Sequence, residues 1–242
     1  MSVTKLDDGL YRCGSRWVNF YVIEDGGEVT IVDCGLPSYE GQLDEALAQM
    51  GRSPSDVDAI VLTHTHPDHM GAAPGFMATT GAPVLVSDVE APIATGERKP
   101  AKVSGLLGTL WRPSMLSLIG HLIGNKGLSN TTVSAATPFG DQEILDVPGR
   151  LKSVATPGHS SGHRALVWEA RGVVFCGDAM ATLDLARGTR GPMLHPFNED
   201  QAQAVESLAV LEALPGNLLL PGHGEPFKGT PAQAVEAARR SL

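Results

Sequence analysis

The sequence predicts an α/β (α+β) fold in which two sheets are layered with helices outside them. Three observations carry that expectation. Short apolar runs bounded by Gly, Pro, Asn and Asp recur along the chain and read as strands. Segments of helical period come in small groups between them. Strands this apolar need cover on both faces, which stacked sheets and outer helices supply. No linker-like stretch and no short-period repeat divides the 242 residues, so 1–242 reads as one domain with a helical insert at about 96–131.

Residues 10–14 and 17–24 read as strands, and Glu24-Asp25-Gly26-Gly27 as the hairpin turn into EVTIVD at 28–33. Tyr39, Leu43, Ala46, Leu47 and Met50 recur at helical spacing over 38–50, and Gly51 is placed to close that helix. AIVLTH at 59–64 suits a strand buried on both faces, followed by a helix over 70–80 and a strand over 83–87. From 132 onward TVSAATPF, EILDVP, RLKSVAT, HRALVWE and GVVFCGD have the spacing of a meander of hairpins. A helix is expected over 199–213, with Asn198 and Gln201 as its capping box. LLLPGHG at 218–224 runs from strand to loop, and Thr230, Pro231 and Gln233 open a final helix.

The composition is that of a folded, acidic protein: 42% hydrophobic, 19% charged, net charge −9. That balance, without a basic run, argues against general binding of nucleic acid. Cys13, Cys34 and Cys176 are scattered, which argues against a disulfide framework and against a CxxC metal knuckle. The start has no signal-peptide pattern and no run of about 18 apolar residues exists, so a cytoplasmic location without a membrane span is expected.

The chemistry concentrates in Thr63-His64-Thr65-His66-Pro67-Asp68-His69, at the end of the buried strand. On an extended chain His64 and His66 share a face. Pro67 cannot continue a central strand, so the chain turns and Asp68 and His69 approach from a second side. Imidazole and carboxylate suit zinc and other first-row metals. Three more candidate ligands follow strands and sit beside glycine: His159, Asp178 and His223. Glycine lets backbone approach such a site closely.

His64, His66, Asp68 and His69 form an HxHxDH motif, and with His159, Asp178 and His223 in order they resemble the metallo-β-lactamase superfamily. The likeness runs from EVTIVDCG to GHGEPF and fills all seven ligand positions. It implies a four-layer αββα sandwich with metals at one edge between the sheets. It also implies that His64, His66 and His159 hold one metal, that Asp68, His69 and His223 hold a second, and that Asp178 bridges them. Zinc, two per chain, is the expected cofactor, with iron or manganese also suited to these ligands. A bridging Asp178 is similar to the hydroxyacylglutathione hydrolase (glyoxalase II) and lactonase branches, not to the true β-lactamases. The expected activity is hydrolysis of an ester, thioester or lactone of a small molecule by metal-bound hydroxide, with Asp68 as catalytic proton relay. Two other activities use the same scaffold: a mononuclear iron persulfide dioxygenase and a phosphodiesterase. Two departures bear on the substrate. Acyl-homoserine lactonases carry a tyrosine shortly after the bridging aspartate, where this chain reads Asp178-Ala179-Met180-Ala181. Glyoxalase II enzymes add a basic helical region after the last histidine, where this chain has only Lys228, Arg239 and Arg240.

Other polar residues have two readings each. Asp33 either orients a ligand histidine or forms a turn. His163 reads as a structural partner of the loop that presents His159, and His121 as a packed or surface histidine. His195 either lines the pocket or is a plain loop residue, and Cys176 reads as a small buried hydrophobe. The insert carries Leu106, Leu107, Leu110, Trp111, Met115, Leu116, Leu118, Ile119, Leu122 and Ile123, which fit two short amphipathic helices broken near Pro113. It could pack on the body, roof the metal site as an acyl pocket, or make a homodimer or membrane-surface contact.

Overall fold

The computed structural model describes residues 2–102, 107–129 and 131–241. Strands β1 (Thr4–Asp7), β2 (Leu10–Gly14), β3 (Asn19–Asp25) and β4 (Glu28–Val32) form an antiparallel meander. The β3–β4 hairpin closes on Gly26 and Gly27, whose φ values of 65° and 96° suit the primed turn that matches strand twist. Helix α1 (Glu40–Met50) ends at Gly51 in the left-handed conformation, as the sequence implies. Strand β5 (Val57–Val61), helices α2 (Pro67–Met70) and α3 (Ala73–Thr80), and strand β6 (Val84–Ser87) follow, then the short helix α4 (Ala91–Ala94) and the insert helix α5 (Pro113–Gly124). β7 (Thr137–Phe139) completes a seven-stranded sheet in sequential order, parallel from β4 onward.

The second sheet contains β8 (Lys152–Ala155), β9 (Arg164–Trp168), β10 (Val173–Gly177), β13 (Leu218–Pro221) and β14 (Phe227–Lys228), in the order β14-β13-β10-β9-β8. A separate ribbon of β11 (Ala181–Leu183) and β12 (Arg190–Met193) lies between β10 and helix α6 (Gln201–Glu212). Helix α7 (Pro231–Arg239) closes the described chain with the expected Thr230–Gln233 capping box. No helix among the described residues is long and apolar enough to cross a membrane.

Three apolar layers hold these elements. Tyr21, Ile23, Val32 and Val61 of the first sheet pack against Leu166, Trp168, Phe175 and Leu220 of the second. The outer face of the first sheet packs under α1, α3 and α5 through Leu43, Leu47, Phe76 and Leu118. The outer face of the second packs under α6 and α7 through Leu208, Leu211 and Val235. Alternation along β10 decides which side chain goes where: Val173 and Phe175 face the inter-sheet layer, Val174 and Cys176 the helices. The result is the αββα sandwich, and Cys176 is the buried small hydrophobe that its strand position implies.

Several boundaries differ from the sequence reading. Residues 132–136 form no strand, and β7 joins the first sheet beside β6 instead of the expected meander. Residues 143–148 contribute only the single bridge Ile144–Lys152. The insert has one α-helix rather than two: Pro113 sits in its first turn, where a proline starts a helix at no cost, and only a 3-10 turn at Leu107–Thr109 precedes it. Leu106 lies outside the described residues. The cap of α6 is Asp200, whose carboxylate accepts from the Gln203 N–H, while Asn198 is buried and donates to the His195 carbonyl.

Candidate metal centre

The site forms where loops leave the ends of β5, β8, β10 and β13, each buried in the sheet core and each presenting a predicted residue. Beyond β5, His66 is extended and Pro67 opens α2, which carries Asp68 and His69 back toward the strand end. Loop 157–163 presents His159 and is tied down by the buried Glu90, which accepts from the Gly162 N–H and the Thr65 hydroxyl. Gly177 ends β10 with φ of 49°, and a side chain there would press on His163 and Thr63. That turn lets the Asp178 N–H donate to His163 Nε2 at 3.0 Å, with His163 Nδ1 on the Thr156 hydroxyl at 2.8 Å. His163 is therefore the structural partner of Asp178; burial lowers its pKa to about 3 and keeps it neutral.

The loops converge on a small volume. His66 Nδ1 lies 3.1 Å from His64 Nε2 and 2.8 Å from His159 Nε2. Asp178 Oδ2 lies 2.9 Å from His223 Nε2 and 3.3 Å from His159 Nε2, and Oδ1 lies 3.4 Å from His69 Nε2. Asp68 Oδ2 reaches His223 Nε2 at 3.5 Å from the more open side. Three donor sets among these residues have the spacing to hold an ion: His64, His66 and His159; His64, His69 and Asp178; Asp68, His69 and His223.

The opposite nitrogens of His64, His69, His159 and His223 are held by the fold, which fixes which nitrogen of each faces the centre. His69 Nδ1 meets Asp33 Oδ2 at 2.9 Å, His159 Nδ1 the Phe197 carbonyl at 2.8 Å, and His223 Nδ1 the Trp17 carbonyl at 2.5 Å. The Thr63 hydroxyl donates to Asp33, leaving its lone pairs to accept from His64 Nδ1 at 3.0 Å. Asp33 thus holds the ring of His69, a candidate ligand, and also accepts from the Thr63 N–H.

Electrostatics follow from burial and proximity. Burial, reinforced by neighbouring histidines, pushes His64 and His159 well below the usual imidazole range, into the neutral form that can ligate a metal. Burial also opposes a charged His69 and His223, but the surrounding carboxylates together outweigh it in the metal-free cluster and raise both: Asp178 with Asp33 at His69, and Asp178 with Asp68 at His223. Burial opposes ionised Asp178 in turn, and the four histidines around it win, holding its pKa well below the carboxylate range. The buried His69 Nε2 and Asp178 Oδ1 make no hydrogen bond, although both face the cluster. Burying such atoms without a hydrogen bond is costly, and a cation shared between these two, 3.4 Å apart, removes the cost. The donor set therefore fits a divalent metal.

His195 adds a residue that the sequence left between two readings. Its buried Nε2 faces Asp178 Oδ2 at 3.4 Å, its ring lies 4.4 Å from that of His159, and Nδ1 is held by the Phe197 carbonyl. His159, Asp178 and His195 make a fourth set able to hold an ion. Burial, partly offset by Asp178, lowers the pKa of His195 to about 4. The insert also finds its place. Its α5 packs Met115 and Leu118 on the body, and His121 is packed on the Tyr39 hydroxyl at 2.7 Å. A cavity of about 390 Å³ runs from the donor cluster along this helix.

The Lactamase_B family profile, described as the metallo-beta-lactamase superfamily, matches residues 16–223. The chain belongs to that superfamily. Its relatives include a probable metallo-hydrolase, YflN, of Bacillus subtilis (strain 168), 28% identical over 91% of this chain and 86% of the relative. They also include a hydroxyacylglutathione hydrolase of Cupriavidus metallidurans, 31% identical over 92% of this chain and 69% of the relative. Among solved structures, a metallo-beta-lactamase family protein from Thermus thermophilus superposes with a TM-score of 0.68 at 29% identity, over 96% of this chain and 78% of the other. The Rm3 metallo-beta-lactamase, 19% identical, shares the fold with a TM-score of 0.72 over 99% of this chain and 91% of the other. The chain is thus a metal-dependent hydrolase by family, with a donor cluster able to bind metal.

Removing the support behind His69 gives a direct check. Asp33→Ala leaves His69 Nδ1 and the Thr63 hydroxyl without their acceptor. Metal affinity should fall about 10- to 100-fold, read by competition titration with a chromogenic chelator. Unchanged affinity would mean that Asp33 only shapes the turn.

Proposed function

We propose that the chain hydrolyses an ester, thioester or lactone of a small molecule with two metal ions, zinc foremost, in the cytoplasm. The observation that carries this reading is the convergence of seven donors, in which buried His69 Nε2 and Asp178 Oδ1 face each other at 3.4 Å without a hydrogen bond. In it His64, His66 and His159 would hold one ion, Asp68, His69 and His223 the other, and Asp178 would serve both. Bound there, the ions would acidify water and polarise a carbonyl oxygen. In the hydrolysis, oxygen from water bonds to the carbonyl carbon, the C–O or C–S bond breaks, and the leaving atom takes the proton. Asp68 is the group placed to carry that proton, since it is the partly exposed carboxylate of the cluster and lines the cavity. Residues of α5, with Leu185 and Phe197, line the cavity beside the cluster.

The test is metal content per chain by elemental mass spectrometry, followed by a screen of thioesters, esters and lactones. About two zinc per chain with hydrolysis supports the reading. One iron per chain with oxygen consumption replaces it with the dioxygenase, and preferred cleavage of a phosphodiester replaces it with that activity. Chelation should also destabilise the protein. A ligand at about 1,000 times its Kd adds about 4 kcal/mol, which for a chain of this size is a fall in Tm of roughly 10 °C on chelation. Scanning calorimetry with EDTA, then with zinc restored, reads it; a Tm that does not move would count against a metal in the site.

A further inference from the structure

The cavity along α5 divides sharply in chemistry. At one end are the donor histidines and carboxylates; the walls are Met115, Leu118, Ile119 and Leu122 of the helix, with Leu185 and Phe197 opposite. No lysine or arginine lines it among the described residues. The wall is fixed in place: besides the His121–Tyr39 bond, the Ser114 hydroxyl donates to the Leu185 carbonyl, and Ser38 to Asn125 at the far end of α5. We propose that this cavity is an acyl-chain site. The substrate it takes is an ester or thioester of an uncharged, apolar, medium-length acyl chain, with its carbonyl at the donor cluster and its hydrocarbon along α5. This deepens the hydrolase reading and rests on it for the carbonyl end.

Three physical points carry the assignment. A charged or strongly polar acyl group would lose its hydration against these walls and find no partner. An apolar chain gains from every methylene buried, roughly fourfold in affinity each. A volume of about 390 Å³ is near the small end of ligand pockets, so the gain must level off at a moderate chain length. The same wall disfavours a short hydroxylated acyl group such as lactoyl, which buries little hydrocarbon there and leaves its hydroxyl without a partner.

The experiment has two arms on the full, zinc-loaded chain. The first measures kcat/KM for p-nitrophenyl esters from acetate to decanoate, with S-lactoylglutathione as the polar comparison. The second measures binding of alkyl hydroxamates of the same lengths by calorimetry, which needs no turnover. The proposal expects kcat/KM and affinity to rise roughly threefold to fourfold per methylene and then level off, with lactoylglutathione far below the preferred ester. Leu110→Asn and Leu128→Asn, on the exposed rim of the wall, should flatten both slopes at wild-type zinc content. Ile119→Asn should do so more strongly. Ester hydrolysis and hydroxamate binding without length dependence, or a preference for lactoylglutathione, would overturn the acyl-chain site and leave the hydrolase intact. A length-dependent affinity with no ester turned over would support the site and overturn the hydrolase.

Discussion

Asp178→Asn should cost roughly 10³-fold in kcat/KM, equivalent to about 4 kcal/mol of barrier, and should lower metal stoichiometry. The substitution keeps the shape and removes the charge, which is what the site uses. Asp178 is buried, with nitrogens of His69, His159, His195 and His223 between 2.9 and 3.4 Å from its oxygens. An amide there presents an N–H₂ group to imidazole nitrogens that should be offering lone pairs to a metal. The residue's backbone N–H on His163 Nε2 is untouched by the exchange, so the loop keeps its course. Elemental analysis and steady-state kinetics of the variant decide the matter. Wild-type zinc content with wild-type kcat/KM would remove Asp178 from the centre of the mechanism.

The parts of the site that are legible in the sequence share one property: their geometry is local. His64 and His66 alternate on an extended chain, Pro67 turns it, and His69 returns within one turn of helix. His159, Asp178 and His223 each follow an apolar run directly, so a strand end fixes their position. His195 has no such anchor. It reaches Asp178 because the β11–β12 ribbon folds back and Asn198 donates to the His195 carbonyl, and neither contact leaves a periodic trace. The one hint is the apolar Met193-Leu194 pair running into His195-Pro196-Phe197, which marks a buried turn without saying what it faces. The same limit explains the strands that periodicity does not reveal. β1, β11, β12 and β14 are two to four residues long, and their pairing is set by neighbours distant in sequence. β7 falls in the other sheet from the one its neighbours in sequence suggest, because its three residues look alike beside either partner; parallel pairing with β6 decides it. For α6, Asn198 and Asp200 are both good caps, and burial of Asn198 under the His195 loop leaves the helix end to Asp200.

Gly222→Ala should cost about 100-fold in kcat/KM through the addition of a single methyl group, the scale expected when reacting groups are displaced by about 1 Å. A Cβ at this position would fall well inside 3.0 Å of both Asp178 Oδ1 and His69 Cε1, and 3.1 Å from His69 Nε2. The backbone cannot retreat to make room. The Gly222 N–H donates to the Gly177 carbonyl at 2.9 Å, and its own carbonyl accepts from the Asn19 N–H at 2.8 Å, so it is pinned to both sheets. The side chains must therefore give way, and they are the ones that carry the donor atoms. Gly222 does not have the left-handed φ that strains other residues, so the cost falls on the site and not on the turn. Gly41→Ala is the matched control: it sits within α1, and an added Cβ meets nothing within 4 Å. Gly222→Ala should retain native circular dichroism while losing metal and turnover, and Gly41→Ala should lose neither. Full zinc content and turnover in Gly222→Ala would mean that His69 and Asp178 tolerate displacement, and would count against both as groups whose positions the activity depends on.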